Sequence, residues 1–230
     1  MIKSLVKRTP VVRDIARAVL KLLVDRRQKD FVSGDYWENR YKAGGNSGAG
    51  SYNRLAEHKA EVLNGFVADH GVQTVIEFGS GDGAQLTRAH YPDYTGVDIS
   101  HTALDLTRKL FAGDPTKRFL HPSELPDPFV ADLTLSLDVV YHLIEDSVFE
   151  AYMAQLFDAS RRYVIVYSSN TDRKSDAVHV RHRRFTDWVE ANRPEFALTG
   201  VVRNPYPEDQ DTDNTSFADF YFFEKPAAAG

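Results

Sequence analysis

From residue 74 onward, short apolar runs alternate with stretches long enough for helices, and glycine occupies positions 79, 81 and 83 directly after the first run. TVIEF (74–78), YTGVDI (94–99), RFLH (118–121), DLTLSLD (132–138) and RYVIVYSS (162–169) read as strands bounded by turn residues. GAQLTRAHY (83–91), SHTALDLTRKLF (100–111) and DSVFEAYMAQLFDAS (146–160) read as the helices between them. Strands that are apolar along their whole length must be covered on both faces, and helical crossovers make them parallel. The expectation is therefore an α/β fold with a Rossmann-like, doubly wound sheet. FTDWVEAN (185–192) adds a helix, and FALTGVVRN (196–204) and FADFYFFEK (217–225) add two late strands joined without one. Such strands can pair antiparallel, which predicts seven strands, mostly parallel, with an antiparallel strand at the edge.

The front of the chain has a different character. Val12, Ile15, Val19, Leu22 and Leu23 recur at helical spacing, and residues 1–29 hold nine Lys or Arg against two acids. The full chain carries a net charge of −5, so the remainder is acidic. We read residues 1–32 as a basic amphipathic helix and residues 33–230 as the main domain. An acidic body repels polyanions and argues against nucleic acid as a partner. The basic helix can pack on its own domain, on a second subunit or on an anionic membrane surface. No apolar run approaches the roughly 20 residues that cross a bilayer. A cytoplasmic protein is expected, with peripheral contact at the inner membrane face through residues 1–29 as an option. The absence of cysteine excludes disulfides, thiolate zinc sites and cysteine nucleophiles.

Between these parts, Ser33 or Asp35 can cap a short helix carrying Tyr36, Trp37, Arg40 and Tyr41. Gly44, Gly45, Gly48 and Gly50 follow in a loop that reads as a lid or a linker, and a longer helix runs from about residue 52 to 70.

The three glycines lie where ligands bind in an open α/β sheet, beyond the carboxyl end of a strand. Asp98, twenty-one residues after Glu77, ends the second strand, where a carboxylate can accept both hydroxyls of an adenosine ribose. Dinucleotide folds use G-x-G-x-x-G, whereas this chain has G-x-G-x-G with Glu77 before it and Asp82 inside it. Two carboxylates would repel a pyrophosphate and suit a cofactor that carries a cation. The spacing and the charge both disfavour an NAD-dependent oxidoreductase.

EFGSGDG and GVDIS resemble the first two motifs of class I S-adenosylmethionine-dependent methyltransferases, and the likeness runs over residues 33–225. The resemblance implies S-adenosylmethionine as cofactor and S-adenosylhomocysteine as product. It places Glu77, Gly79, Ser80, Gly81 and Asp82 around the methionine part, Asp98 at the ribose and Ile99 at the adenine. Ser136, Leu137 and Asp138 would form the other side of the cofactor, and Tyr36, Trp37 and Tyr41 would fold over it. The late strands match the family's edge hairpin.

Methyl transfer is an in-line displacement on an activated carbon, so catalysis is largely positioning, and a hydroxyl acceptor needs a place for its proton. In LDVVYHLIED, after the fourth strand, His142 is the candidate base, with Asp138 or Tyr141 to orient it or the acceptor. The Asn or Asp followed by Pro-Pro and an aromatic, which amine-directed adenine and glutamine methyltransferases carry here, is missing, so oxygen is favoured. His179, Arg181, His182 and Arg184 follow the fifth strand, where the family places substrate contacts. His179 and His182 have a three-residue spacing but no clear third ligand, so no metal is expected. DQDTDN (209–214) begins like a calcium loop but lacks its glycine and its closing Glu, and reads as a polar turn.

YWENRYKAGGNSGAGSYNRLAEHKAEVLN, taken with LDVVYHLIED and HVRHRRFTDW, is similar to stand-alone methyltransferases of bacterial polysaccharide and glycolipid assembly. That similarity implies a sugar hydroxyl as acceptor. A small-molecule O-methyltransferase of secondary metabolism and a non-catalytic cofactor-binding module that regulates a partner are the alternatives.

Overall fold

The computed structural model describes residues 28–226; the expected amphipathic helix and most of its basic segment lie outside the described residues. The elements are α1 (Ser33–Lys42), α2 (Asn53–Asp69), β1 (Thr74–Phe78), β2 (Asp93–Val97), α3 (His101–Leu110), β3 (Lys117–Leu120), β4 (Ala131–Leu137), α4 (Asp146–Asp158), β5 (Ser160–Ser168), α5 (Phe185–Asn192), β6 (Ala197–Val202) and β7 (Asp219–Glu224).

The seven strands form one sheet in the order β3-β2-β1-β4-β5-β7-β6. The first five pair in parallel, while β7 is antiparallel to both β5 and β6. The doubly wound sheet expected from the sequence is thus present, and its reversed strand lies one position inside the edge. Alternating side chains serve two cores. Val75, Tyr94, Leu133, Leu135, Ile165 and Tyr167 pack with Leu63 and Val67 of α2 and Leu104 of α3. Ile76, Phe78, Val97, Val164 and Val166 pack with Phe149, Met153, Leu156 and Phe157 of α4 and with Phe185 and Val189 of α5. Burial on both faces is the physical reason these strands read as unbroken apolar runs.

Two local expectations are corrected. Residues 83–91 form only a short 3-10 turn, Gln85–Arg88, in place of a helix. Asn64 of α2 intercepts the chain there: its amide donates to the Arg88 carbonyl at 2.9 Å and its oxygen accepts the His90 N–H at 2.8 Å. An N–H that continues a helix is thereby taken by a side chain. Neither Ser33 nor Asp35 caps α1, whose N-cap is Val32 with no side-chain bond. The Ser33 hydroxyl instead donates to Glu145 and accepts the Ile144 N–H at 3.1 Å, tying α1 to the segment after β4. Among the described residues no helix is long and apolar enough to cross a membrane, and no three His, Cys, Asp or Glu are grouped as a metal site.

Candidate active site

The carboxyl ends of β1, β2 and β4 open into a cavity of about 420 Å³, close in size to pockets that hold small molecules. Gly79 and Gly81 carry positive φ angles of 79° and 59°. A Cβ at Gly79 would collide with Val139, and one at Gly81 with Ser47, so the bare backbone is required both by conformation and by close approach.

Asp98 is buried at the end of β2, and its two oxygens accept the N–H groups of Gly81 and Ser100, each at 2.8 Å. Burial raises its pKa to about 6 against the opposing pull of those bonds. Glu77 accepts the Tyr94 hydroxyl at 2.7 Å and is pushed up to about 7, again chiefly by burial. Both acids line the cavity, with Gly79, Ser80, Gly81, Leu137 and Asp138. Ile99 sits at its mouth, about half exposed, and Trp37 and Tyr41 of α1 contribute to the wall. The buried Ser80 hydroxyl and the Gln85 amide oxygen have no hydrogen-bond partner among the described residues, which makes them polar atoms a ligand can satisfy. A cavity with two buried acids, a bare glycine turn and unsatisfied polar atoms fits a nucleoside that carries a cation.

Other predicted residues stand elsewhere. Asp82 is a latch and does not line the cavity: one oxygen accepts the Ser47 N–H and the Tyr52 hydroxyl, both at 2.9 Å, while its own N–H donates to the Ser47 hydroxyl at 3.0 Å. Tyr41 adds a 2.9 Å bond to Ser47, so the glycine-rich 44–50 loop is clasped over the glycine turn. Ser136 lies behind the cavity wall, bonded to the Tyr152 hydroxyl at 2.7 Å.

A second cavity, of about 230 Å³, adjoins the first. Trp37, Ser47, Asp138 and His142 belong to the walls of both. Tyr36, Tyr141 and His179 line only the second, where the Tyr36 and His179 rings stack with centroids 5.1 Å apart. His142 Nδ1 lies 2.7 Å from the His179 carbonyl. A carbonyl only accepts, so Nδ1 carries the proton and Nε2 keeps its lone pair. Burial lowers the pKa of His142 to about 4, leaving the ring neutral near pH 7.

The sequence reading missed Lys59. It is buried on α2 and its ammonium lies 2.6 Å from Asp138, whose other oxygen accepts the Tyr141 hydroxyl at 2.8 Å. The signal was available: Leu55 and Leu63, one helical turn to either side, are core residues, so position 59 shares their face. Asp138 itself adopts a positive φ of 60°, a conformation that leaves its carboxylate between Lys59 and Tyr141.

Of His179, Arg181, His182 and Arg184, His179 alone lines either of the two cavities. Arg181 binds the Ile144 carbonyl at 2.7 Å and pairs with Asp146, and Arg184 pairs with Asp172 on the surface. His182 Nδ1 bonds the Ser169 hydroxyl at 2.7 Å, and burial lowers its pKa to about 4.

No family model matches the chain, and no curated protein matches it. Solved structures do. The methyltransferase domain of bacterial CtHen1-C aligns at 17% identity and TM-score 0.56, over 74% of this chain and 97% of that one. Magnesium protoporphyrin IX methyltransferase (ChlM) from Synechocystis PCC 6803, with bound S-adenosylmethionine, aligns at 15% and 0.55, over 75% and 81%. The N-methyltransferase NodS from Bradyrhizobium japonicum WM9, in complex with S-adenosylhomocysteine, aligns at 12% and 0.59, over 75% and 88%. Sheet order and these alignments together give the chain the Rossmann-like fold of S-adenosylmethionine-dependent methyltransferases.

Proposed function

We propose that the protein transfers a methyl group from S-adenosylmethionine to an oxygen acceptor, a sugar hydroxyl of a glycan or glycolipid precursor. The observation that carries this reading is the pair of adjoining cavities with His142 and Asp138 in their common wall. Glu77 and Asp98 would hold the cofactor in the larger cavity, Asp98 through the ribose hydroxyls. S-adenosylmethionine supplies a methyl carbon already activated on a sulfonium sulfur. His142 lines both cavities, and its unprotonated Nε2 would take the proton of an acceptor hydroxyl as that oxygen bonds the methyl carbon and the carbon–sulfur bond breaks, leaving S-adenosylhomocysteine. The His179 carbonyl fixes the tautomer that makes this possible, and the Trp37 ring, edge-on at 4.9 Å, limits rotation of the imidazole.

His142→Gln is expected to lower kcat on a sugar acceptor by about a hundredfold, the low end for general-base catalysis because a base of pKa near 4 is weak. Cofactor affinity should change less than threefold. Steady-state kinetics beside calorimetric titration with S-adenosylmethionine, S-adenosylhomocysteine and NAD tests both halves. An unaltered kcat removes His142 as base, and binding of NAD alone overturns the proposal.

The raised carboxyls give the cofactor step a pH signature. Burial pushes Glu77 up to about 7 and Asp98 up to about 6, so raising the pH from 6 to 8 is expected to convert both to carboxylates. Affinity for the cationic cofactor should therefore rise with pH, by roughly tenfold over this range if only ionised Glu77 binds. Titration at a series of pH values measures it. Glu77→Gln should flatten most of the slope, and an equally steep slope in that variant assigns it to another group.

A further inference from the structure

The segment between β6 and β7, which reads in sequence as a polar turn, supplies part of the second cavity through Glu208, Thr212 and Phe217. Glu208 accepts a bond from the Arg173 guanidinium at 2.6 Å, and Arg173 lies over the Phe217 ring with 5.3 Å to its centroid. Phe217 meets the Tyr141 ring edge-on at 4.8 Å. An arginine that contacts both the carboxylate and the aromatic ring fixes their relative placement, so the loop presents them as one unit. Tyr36 and Trp37 of α1 line the same cavity with their rings 5.4 Å apart and nearly perpendicular.

This combination selects a particular ligand chemistry. Aromatic faces cover apolar C–H surface, while a carboxylate and a threonine hydroxyl accept or donate to several hydroxyl groups on one small body. A pyranose ring offers both, with C–H groups on its faces and hydroxyls around its edge. A simple phenol offers an apolar face and one hydroxyl, which leaves Glu208 and Thr212 without a role.

We propose that the loop at 203–218 reads the acceptor: Glu208, held by Arg173, and Thr212 bind the non-reacting hydroxyls of one sugar residue whose ring lies among Tyr36, Trp37 and Phe217. The proposal rests on the methyl-transfer reading, since it takes the second cavity as the acceptor site. It assigns specificity to a segment separate from the cofactor motifs and from the His142 wall.

The test uses the protein saturated with S-adenosylhomocysteine and titrated, by calorimetry or ligand-observed NMR, with methyl hexopyranosides, methyl 6-deoxyhexopyranosides and phenols of similar size. At least one methyl glycoside is expected to bind. Glu208→Gln should weaken it about tenfold, as loss of a hydrogen bond to a charged group does, and Thr212→Val by a few-fold. Both side chains are at the surface, and S-adenosylhomocysteine affinity in each variant reports that the fold is intact. Glycoside binding that is equal in wild type and variants overturns the proposal, as does binding of phenols without glycosides or of neither. Failure to bind S-adenosylhomocysteine overturns the methyl-transfer reading beneath it.

Discussion

Asp98→Ala is expected to weaken S-adenosylmethionine binding several hundredfold while leaving the circular dichroism spectrum unchanged. Two effects add. In the proposed ribose role, the buried carboxylate at the end of β2 would lose two charge-assisted bonds to hydroxyls, each worth about 1.5–3 kcal/mol. The Gly81 N–H, which Asp98 accepts at 2.8 Å, would lose the acceptor that fixes the glycine turn. Because the ribose is common to both, S-adenosylhomocysteine and adenosine should lose affinity by similar factors, whereas Glu77→Gln should spare adenosine. Calorimetric titration of the three ligands against both variants separates these roles. Unchanged affinity in Asp98→Ala removes the residue from the ribose position.

Lys59→Met is expected to destabilise the folded protein by about 3 kcal/mol, lowering Tm by roughly 10 °C for a domain of this size. Lys59 is 1% exposed and Asp138 12%, so removing the ammonium leaves a largely buried carboxylate with the Tyr141 hydroxyl as its remaining donor. The penalty comes from the orphaned charge more than from the lost attraction, because a buried ion pair offsets much of its own desolvation. Lys59→Met combined with Asp138→Asn should therefore recover most of the stability, asparagine being tolerant of the positive φ at that position. Thermal unfolding of the two single variants and the double variant closes the cycle. A single variant within about 1 kcal/mol of wild type would show that the pair does not hold the site together.

The sheet was legible because its strands obey one rule: β1, β4 and β5 are buried along nearly their whole length, and the residues show it. What misled was chemistry supplied from a distance. Nothing within residues 83–91 reveals that Asn64 will bind their backbone and end the turn early. Asp82 stands in the glycine motif like a ligand contact, yet Ser47 and Tyr52, at least thirty residues upstream in the chain, take its carboxylate. Arg181 and Arg184 look available for an anionic substrate until Asp146 and Asp172 come beside them. Lys59 was the converse case, a charge on an apolar helical stripe whose partner lies 79 residues away in Asp138.

Ser47 belongs to both cavity walls and, through Asp82, to the clasp that holds the 44–50 loop down. The two compartments consequently share one door. A movement that parted Ser47 from Asp82 would take a wall residue from both cavities together, and the opening of one would then be tied mechanically to that of the other. The Asp82 carboxylate shares that clasp with the Tyr41 hydroxyl, so a substitution at Asp82 is expected to act on residence times before it acts on chemistry.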